Sequence, residues 1–142
     1  MNYFDACYIA KFYLAEPDSP NVIAFAQAQP SVCCLLMGKA EVVSVFHRKF
    51  REGAVDAMGF ALLCDQFEAD CASGLWLWFG AEDALIDSVT RRIRALSPAT
   101  FLRAADAFHL TCAAEKGCSV IYTSDRHMSA AAPAFGLQAV RL

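Results

Sequence analysis

The sequence has no long hydrophobic run: no apolar stretch approaches the roughly 18 residues that a membrane-spanning helix needs. The first five residues, Met-Asn-Tyr-Phe-Asp, also lack a basic segment followed by an apolar one, so we expect no signal peptide. These two absences predict a cytoplasmic protein without a membrane partner.

Sulfur-based metal motifs are absent as well. The chain has seven cysteines and three histidines, but no C-x-x-C pair and no spacing typical of zinc ligands. We therefore expect no zinc site, and we expect the cysteines to be reduced residues of the core.

The chain also lacks a large excess of charge of either sign. Its formal net charge is −3 and its pI is near 5.5, which argues against a protein whose whole surface binds nucleic acid through bulk charge. Basic residues cluster only at 47–51 and 91–94. Cations at the end of a helix complement the helix dipole, so these clusters are interpreted first as solvated helix ends.

The composition, 57% hydrophobic and 19% charged over 142 residues, is typical of one domain that buries a full core. There is no internal repeat and no linker, so we assign residues 1–142 to a single domain. Alternating strands and helices predict an α/β fold with a parallel sheet covered on both faces. The predicted strands are 2–5, 31–36, 75–79, 118–122 and 137–141, and the predicted helices are 6–16, 18–29, 39–51, 54–71, 82–96, 102–115 and 125–135.

Four acidic residues, Asp5, Glu41, Asp106 and Asp125, lie in or beside apolar stretches. An ionised carboxylate in such a place is costly unless it is paired, and a divalent cation is the usual partner for several at once. Asp5 and Asp125 follow predicted strands, and Glu41 lies in the first turns of the helix after the second strand. Because ligands bind at the carboxyl ends of parallel strands, these three are expected near one edge of the sheet.

Asp106 shares its helix face with apolar neighbours and His109, so its carboxylate is expected to point into the protein. A set of oxygen ligands suits Mg²⁺ or Mn²⁺, and such an ion supports hydrolysis of a phosphodiester bond. Each acid also has a simpler explanation. Asp5 and Asp125 are suited to capping helices. Glu41 is suited to pairing with a nearby lysine or arginine, and Asp106 to pairing with Arg103.

The order of these segments resembles the PIN-domain family, and within it the VapC-type toxins of toxin–antitoxin pairs. The segments are the strand ending in Asp5, the helix start Ala-Glu-Val-Val-Ser around Glu41, residues 102–110 (Leu-Arg-Ala-Ala-Asp-Ala-Phe-His-Leu), and Tyr-Thr-Ser-Asp-Arg at 122–126. The resemblance extends from Tyr3 to Val140, and residues 102–110 are its most specific part.

The resemblance implies a three-layer α/β/α sandwich and a Mg²⁺- or Mn²⁺-dependent endoribonuclease that acts as a toxin. It implies that Asp5, Glu41, Asp106 and Asp125 are the catalytic, metal-binding residues, with Thr123 a polar neighbour. The implied partners are an RNA substrate, a small cognate antitoxin and a second copy of the chain in a homodimer. Cys7 stands where the family often has serine or threonine, and a thiol is the weaker hydrogen-bond partner for a carboxylate.

Other residues have weaker functional interpretations. Arg126 is a contact to RNA phosphate, a contact to the carboxylate cluster or a surface arginine. His109 is either a proton shuttle or a hydrogen-bonded core histidine. The aromatic residues of the first helix and third strand are expected mainly in the core, with any exposed member available to an antitoxin or a dimer partner.

The main alternative function is a non-catalytic PIN-fold module that binds protein. A phosphoacceptor receiver domain is disfavoured because no aspartate lies in 75–79 and no lysine follows Lys116.

Overall fold

Five parallel strands form the central sheet, in the spatial order β3-β2-β1-β4-β5. The structure, a computed structural model, describes residues 1–142. The strands are β1 (Asn2–Phe4), β2 (Val32–Leu35), β3 (Trp76–Phe79), β4 (Val120–Tyr122) and β5 (Gln138–Val140). The helices are α1 (Ala6–Tyr13), α2 (Ser19–Ala28), α3 (Gly38–Arg51), α4 (Ala57–Ser73), α5 (Asp83–Ala95), α6 (Ala104–Glu115) and α7 (Arg126–Ala131), and a 3₁₀ helix follows at Ala132–Phe135.

The sheet separates two hydrophobic cores, one on each of its faces, and consecutive residues of a strand contribute to opposite cores. Tyr3 points into a core with α5, α6 and α7, whereas Phe4 points into a core with α1 to α4. Side chains of a strand alternate between faces, so both residues of this short strand are fully buried. Helices on both faces make the three-layer α/β/α sandwich, and the predicted fold class is confirmed.

Several predicted boundaries are shifted by one to three residues. Helix α1 ends at Tyr13, not residue 16, because Leu14 is already extended. Helix α6 begins at Ala104, not residue 102, because Arg103 has extended backbone angles. The predicted helix over 125–135 is divided into α7 and the 3₁₀ helix, where Pro133 occupies one of the first two positions.

The basic clusters lie where helices end. Arg48, Lys49 and Arg51 are in the last turn of α3, and Arg92 and Arg94 are in the last turn of α5. This placement agrees with their interpretation as cations that complement the helix dipoles.

All seven cysteines are free thiols. Four of them, Cys33, Cys34, Cys112 and Cys118, are buried, as expected for core residues. Cys7 is exposed, so the prediction that the cysteines belong to the core is wrong at this position. No helix combines the length and apolar character needed to cross a bilayer.

Candidate active site

The first and fourth strands deliver two aspartates to the same edge of the sheet. Strands β1 and β4 are adjacent and parallel, with Phe4 opposite Tyr122, so the residues that follow them emerge side by side. Thr123, which is buried, donates its hydroxyl hydrogen to the Asp5 carboxylate and accepts the Asp125 N–H at 3.0 Å. One threonine side chain therefore joins the backbone of one aspartate to the carboxylate of the other.

Asp5 is almost completely buried. Its Oδ1 accepts the Tyr8 N–H at 2.8 Å, which caps α1, and its Oδ2 accepts from Thr123. Burial raises the pKa of the Asp5 carboxyl, while these two hydrogen bonds oppose the rise because they favour the charged form. The capping role considered for Asp5 is real, and it leaves the carboxylate beside the other acids.

Asp125 caps α7 in the same manner. Its Oδ1 accepts the N–H groups of His127 at 2.7 Å and Met128 at 2.9 Å. Its other oxygen, Oδ2, accepts from Arg103 at 3.1 Å. The two carboxylate oxygens thus have different tasks: one fixes the helix start, and the other faces a cation.

Asp106 is buried on α6, as its spacing predicted, and it also binds Arg103. The Arg103 Nε lies 2.9 Å from Asp106 Oδ2, which is the pairing that the sequence allowed. Because Arg103 also contacts Asp125, its guanidinium bridges two acids that are 19 positions apart. The side chain of Arg103 remains 61% exposed, so the bridge lies at the mouth of the site.

Glu41 is held by a histidine, not by the nearby lysine or arginine considered from the sequence. His109 Nε2 lies 2.6 Å from Glu41 Oε2, and His109 Nδ1 lies 2.9 Å from the Tyr3 hydroxyl. That hydroxyl accepts the Leu35 N–H at 3.0 Å, so its own hydrogen is available for Nδ1. His109 is therefore the predicted hydrogen-bonded core histidine, and it also positions Glu41.

All four acids line one cavity of about 300 Å³. Cys7, Ser44, Arg103 and His109 contribute to the same wall. A larger cavity, about 620 Å³, lies between α3 and α4, where its lining is mainly apolar and includes none of the four acids. The four acids thus share the smaller cavity at the carboxyl edge of the sheet. The structure brings together every acid that the sequence singled out.

The donor set is chemically suited to a hard divalent cation because it is made of carboxylate oxygens. No three histidine, cysteine, aspartate or glutamate side chains, as they lie, are grouped closely enough to hold an ion. The contacts explain this: each carboxylate is bonded to a protein partner, and Arg103 supplies positive charge between Asp106 and Asp125. A bound ion would take over the role of that guanidinium.

Cys7 is the position at which the sequence departs from the PIN-domain pattern, and the structure shows how Asp5 is held there. Asp5 receives its hydrogen bonds from Thr123 and the Tyr8 N–H, and none from Cys7, although Cys7 lines the cavity. The Asp5 carboxylate is thus held without a hydrogen bond from position 7.

Sequence reasoning missed two contributions to the site: the second ion pair of Arg103 and the link from Tyr3 through His109 to Glu41. Both depend on which strands are neighbours and could not be read from local spacing. Phe101, two residues before Arg103, is exposed and was not singled out from the sequence. Arg126 is exposed, and its Nε contacts the His127 ring at 3.2 Å.

The five-stranded parallel sheet, its two helical layers and the acids at its carboxyl edge define a PIN-like fold. No known family model matches the sequence, and no curated protein matches it significantly. The solved structures do give matches. Mycobacterium tuberculosis VapC20, described as a toxin that cleaves the sarcin–ricin loop, superposes with a TM-score of 0.72 at 14% identity, over 92% of this chain and 95% of that one.

Two further solved structures, of FitAB and FitAcB, superpose with comparable TM-scores. FitAB bound to an IR36 DNA fragment gives a TM-score of 0.74 at 15% identity, covering 99% of this chain and 94% of that one. FitAcB from Neisseria gonorrhoeae gives 0.69 at 16% identity, covering 98% and 96%. At these identities the likeness establishes the fold, and the residues of the site must carry the case for function.

Proposed function

We propose that the protein is a Mg²⁺- or Mn²⁺-dependent endoribonuclease that acts as the toxin of a toxin–antitoxin pair. One observation carries this proposal: Asp5, Glu41, Asp106 and Asp125, which come from four separate parts of the chain, line a single cavity. Four carboxylates in one cavity repel one another, so a fold that brings them together is best explained by a cation that they share.

The fold supports the toxin part of the proposal. VapC20 is a toxin that cleaves the sarcin–ricin loop, and FitAB is bound to a DNA fragment in its structure. By analogy, the proposed partners are an RNA substrate, a small antitoxin and a second copy of the chain, and the proposed location is the cytoplasm.

In this proposal Asp5, Glu41, Asp106 and Asp125 hold the metal ion. When bound, the ion would polarise a phosphate oxygen and lower the pKa of a water molecule, as in metal-assisted hydrolysis. The residues around the acids keep the ligands in position: Thr123 and the Tyr8 N–H hold Asp5, and His109 holds Glu41. Ligands that are already oriented lose little conformational freedom on binding the ion.

The test compares the wild-type protein with Asp5→Asn and Asp106→Asn on a mixture of cellular RNA with Mg²⁺, with Mn²⁺ and with excess EDTA. We expect cleavage by the wild type that EDTA abolishes, and a loss of at least about 100-fold in each variant, since one misplaced ligand commonly costs that much. Wild-type turnover by the Asp5→Ala, Asp106→Ala double variant would refute the catalytic assignment.

A non-catalytic module that binds protein is the second candidate. It is favoured by the finding that every acid already has a protein partner without an ion. Isothermal titration with Mn²⁺ separates the two functions. A nuclease binds the ion and loses that binding in Asp106→Asn, whereas a module without a working site gives no heat of binding in either protein.

A further inference from the structure

Close in sequence to two residues of the acidic cavity lies a pair of aromatic rings, the exposed Phe101 and the half-buried His127, that the proposed metal site does not use. Phe101 is 61% exposed, and its ring centroid lies 4.6 Å from that of His127 at an interplanar angle of 57°. A single exposed phenylalanine needs no special explanation. Its position is what matters, because both rings are covalently close to residues that line the cavity.

Each ring is tied to a carboxylate of the cavity. The backbone N–H of His127 donates to Asp125 Oδ1 at 2.7 Å, so its position follows that of the acid. Phe101 stands two residues before Arg103, which bridges Asp106 and Asp125. Each ring is therefore tethered within two residues of a side chain that lines the cavity, Arg103 for Phe101 and Asp125 for His127.

One arginine without an ion pair lies beside this pair of rings. Arg126 is exposed, and its Nε lies 3.2 Å from His127 Nε2, whereas the charge of Arg103 is taken up by Asp106 and Asp125. The protein as a whole is acidic, so a polyanion has few favourable approaches to the cavity. This edge combines a cation for a phosphate with an aromatic face for a base.

We propose that Phe101 and His127 form a stacking platform for one unpaired RNA base flanking the cleaved phosphate, with Arg126 contacting the adjacent backbone. The inference rests on the proposed ribonuclease function and adds a preference for single-stranded RNA. In a duplex, base faces are covered by their neighbours, whereas an unpaired base can leave the stack and lie on an aromatic side chain.

The test uses a short single-stranded RNA that carries one 2-aminopurine, whose fluorescence is quenched on stacking. The RNA is titrated with Mg²⁺ present, in an Asp5→Asn background that leaves it uncut. We expect the fluorescence to be quenched when Phe101 and His127 are unchanged. Phe101→Ala should bind the RNA about tenfold more weakly and lose most of the quenching, whereas Phe101→Tyr should keep both the affinity and the quenching. The matched control is Met58→Ala, which removes a side chain that is 70% exposed and belongs to α4, a helix that contributes no residue to the cavity.

A fully paired RNA provides the second comparison: its binding should be the same with and without Phe101→Ala. In the otherwise wild-type enzyme, Phe101→Ala should raise KM for a single-stranded substrate about tenfold and leave kcat within twofold.

Unchanged quenching and affinity in Phe101→Ala would overturn the platform, and so would an equal loss in Phe101→Tyr. RNA binding and quenching are measured without cleavage. If the wild type cuts no RNA yet Phe101 quenches the probe, the nuclease proposal fails, and with it the place beside a cleaved phosphate, while stacking of an RNA base on Phe101 stands. If cleavage is normal and Phe101→Ala has no effect, only the platform fails.

Discussion

Arg103 and Asp106 lie one helical turn apart and form an ion pair, with Nε 2.9 Å from Oδ2. The same guanidinium reaches Asp125 at 3.1 Å, so one cation neutralises two acids that a metal ion is proposed to bind. The pair belongs to the mouth of the site, where solvent screens it, and its contribution to stability is expected to be small. Its main effect is on which cation the carboxylates hold.

Replacing Arg103 with Gln should therefore tighten the binding of Mn²⁺, because the ion no longer competes with the guanidinium for Asp106 and Asp125. Isothermal titration of the wild type and Arg103→Gln measures this directly. Arg126→Gln is the matched control, since Arg126 is also an exposed arginine but makes no ion pair with the acids. Equal or weaker Mn²⁺ binding in Arg103→Gln would contradict competition between the two cations.

Replacing Tyr3 with Phe should weaken the site without touching an acid. The change removes the hydroxyl between the Leu35 N–H and His109 Nδ1, leaving two buried polar groups without that partner. We expect a loss of about 1–3 kcal/mol of unfolding free energy and weaker Mn²⁺ binding, because His109 no longer holds Glu41 in one orientation.

The tautomer of His109 gives an independent readout of this chain of hydrogen bonds. In ¹⁵N NMR spectra, the wild-type ring should carry its hydrogen on Nε2, facing Glu41, and Tyr3→Phe should alter that pattern. A hydrogen on Nδ1 in the wild-type protein would be incompatible with donation from the Tyr3 hydroxyl to Nδ1. Tyr122→Phe is a suitable control, because the Tyr122 hydroxyl makes only a 3.5 Å contact with Asn2.

Asp5 should make the stability of the metal-free protein depend on pH. Burial raises its pKa in the folded state, so the folded protein binds this proton at a higher pH than the unfolded chain does. The charged carboxyl therefore lowers stability at neutral pH, and this cost disappears as the pH falls through the folded-state pKa. Asp5→Asn removes the charge and should be more stable than the wild type at pH 7.

Urea unfolding at several pH values, in EDTA, measures the difference between the two proteins. The advantage of Asp5→Asn should shrink as the pH falls, and added Mn²⁺ should reverse it, because only the wild type keeps the complete ligand set. A pH-independent difference would show that the charge of Asp5 is not responsible.

Gly38 should be intolerant of a side chain because it lies where α3 meets the site. A Cβ at this position would lie 2.7 Å from the Cys34 Sγ and 3.6 Å from the His109 Cε1. Gly38→Ala should therefore cost about 1–3 kcal/mol through overpacking and shift the start of the helix that carries Glu41. Thermal unfolding together with Mn²⁺ titration detects both effects.

Gly80→Ala is the matched control for this change. Nothing lies within 4 Å of a Cβ at Gly80, and its backbone does not require positive φ. Its unfolding temperature should stay close to that of the wild type. If Gly38→Ala were equally harmless, the close approach of α3 to Cys34 would not be a constraint on the site.

The local pattern of the sequence determined which segments are strands and helices, and it identified the four acids. Asp5 and Asp125 follow apolar strands, and Asp106 lies on the buried face of a helix, so their neighbours in sequence already marked them as unusual. Boundaries were less certain, as at 125–135, because a proline can either end a helix or lie in the first turn of the next one.

Only the tertiary structure decided the partners of those acids. The order of the strands in the sheet fixed three sets of contacts between residues far apart in the chain. These are the hydrogen bonds of Thr123, the bridge made by Arg103 and the connection from Tyr3 through His109 to Glu41. The physical reason is that sequence spacing controls direction within one helix or strand, whereas contacts between elements depend on the order of the strands and the packing of the layers.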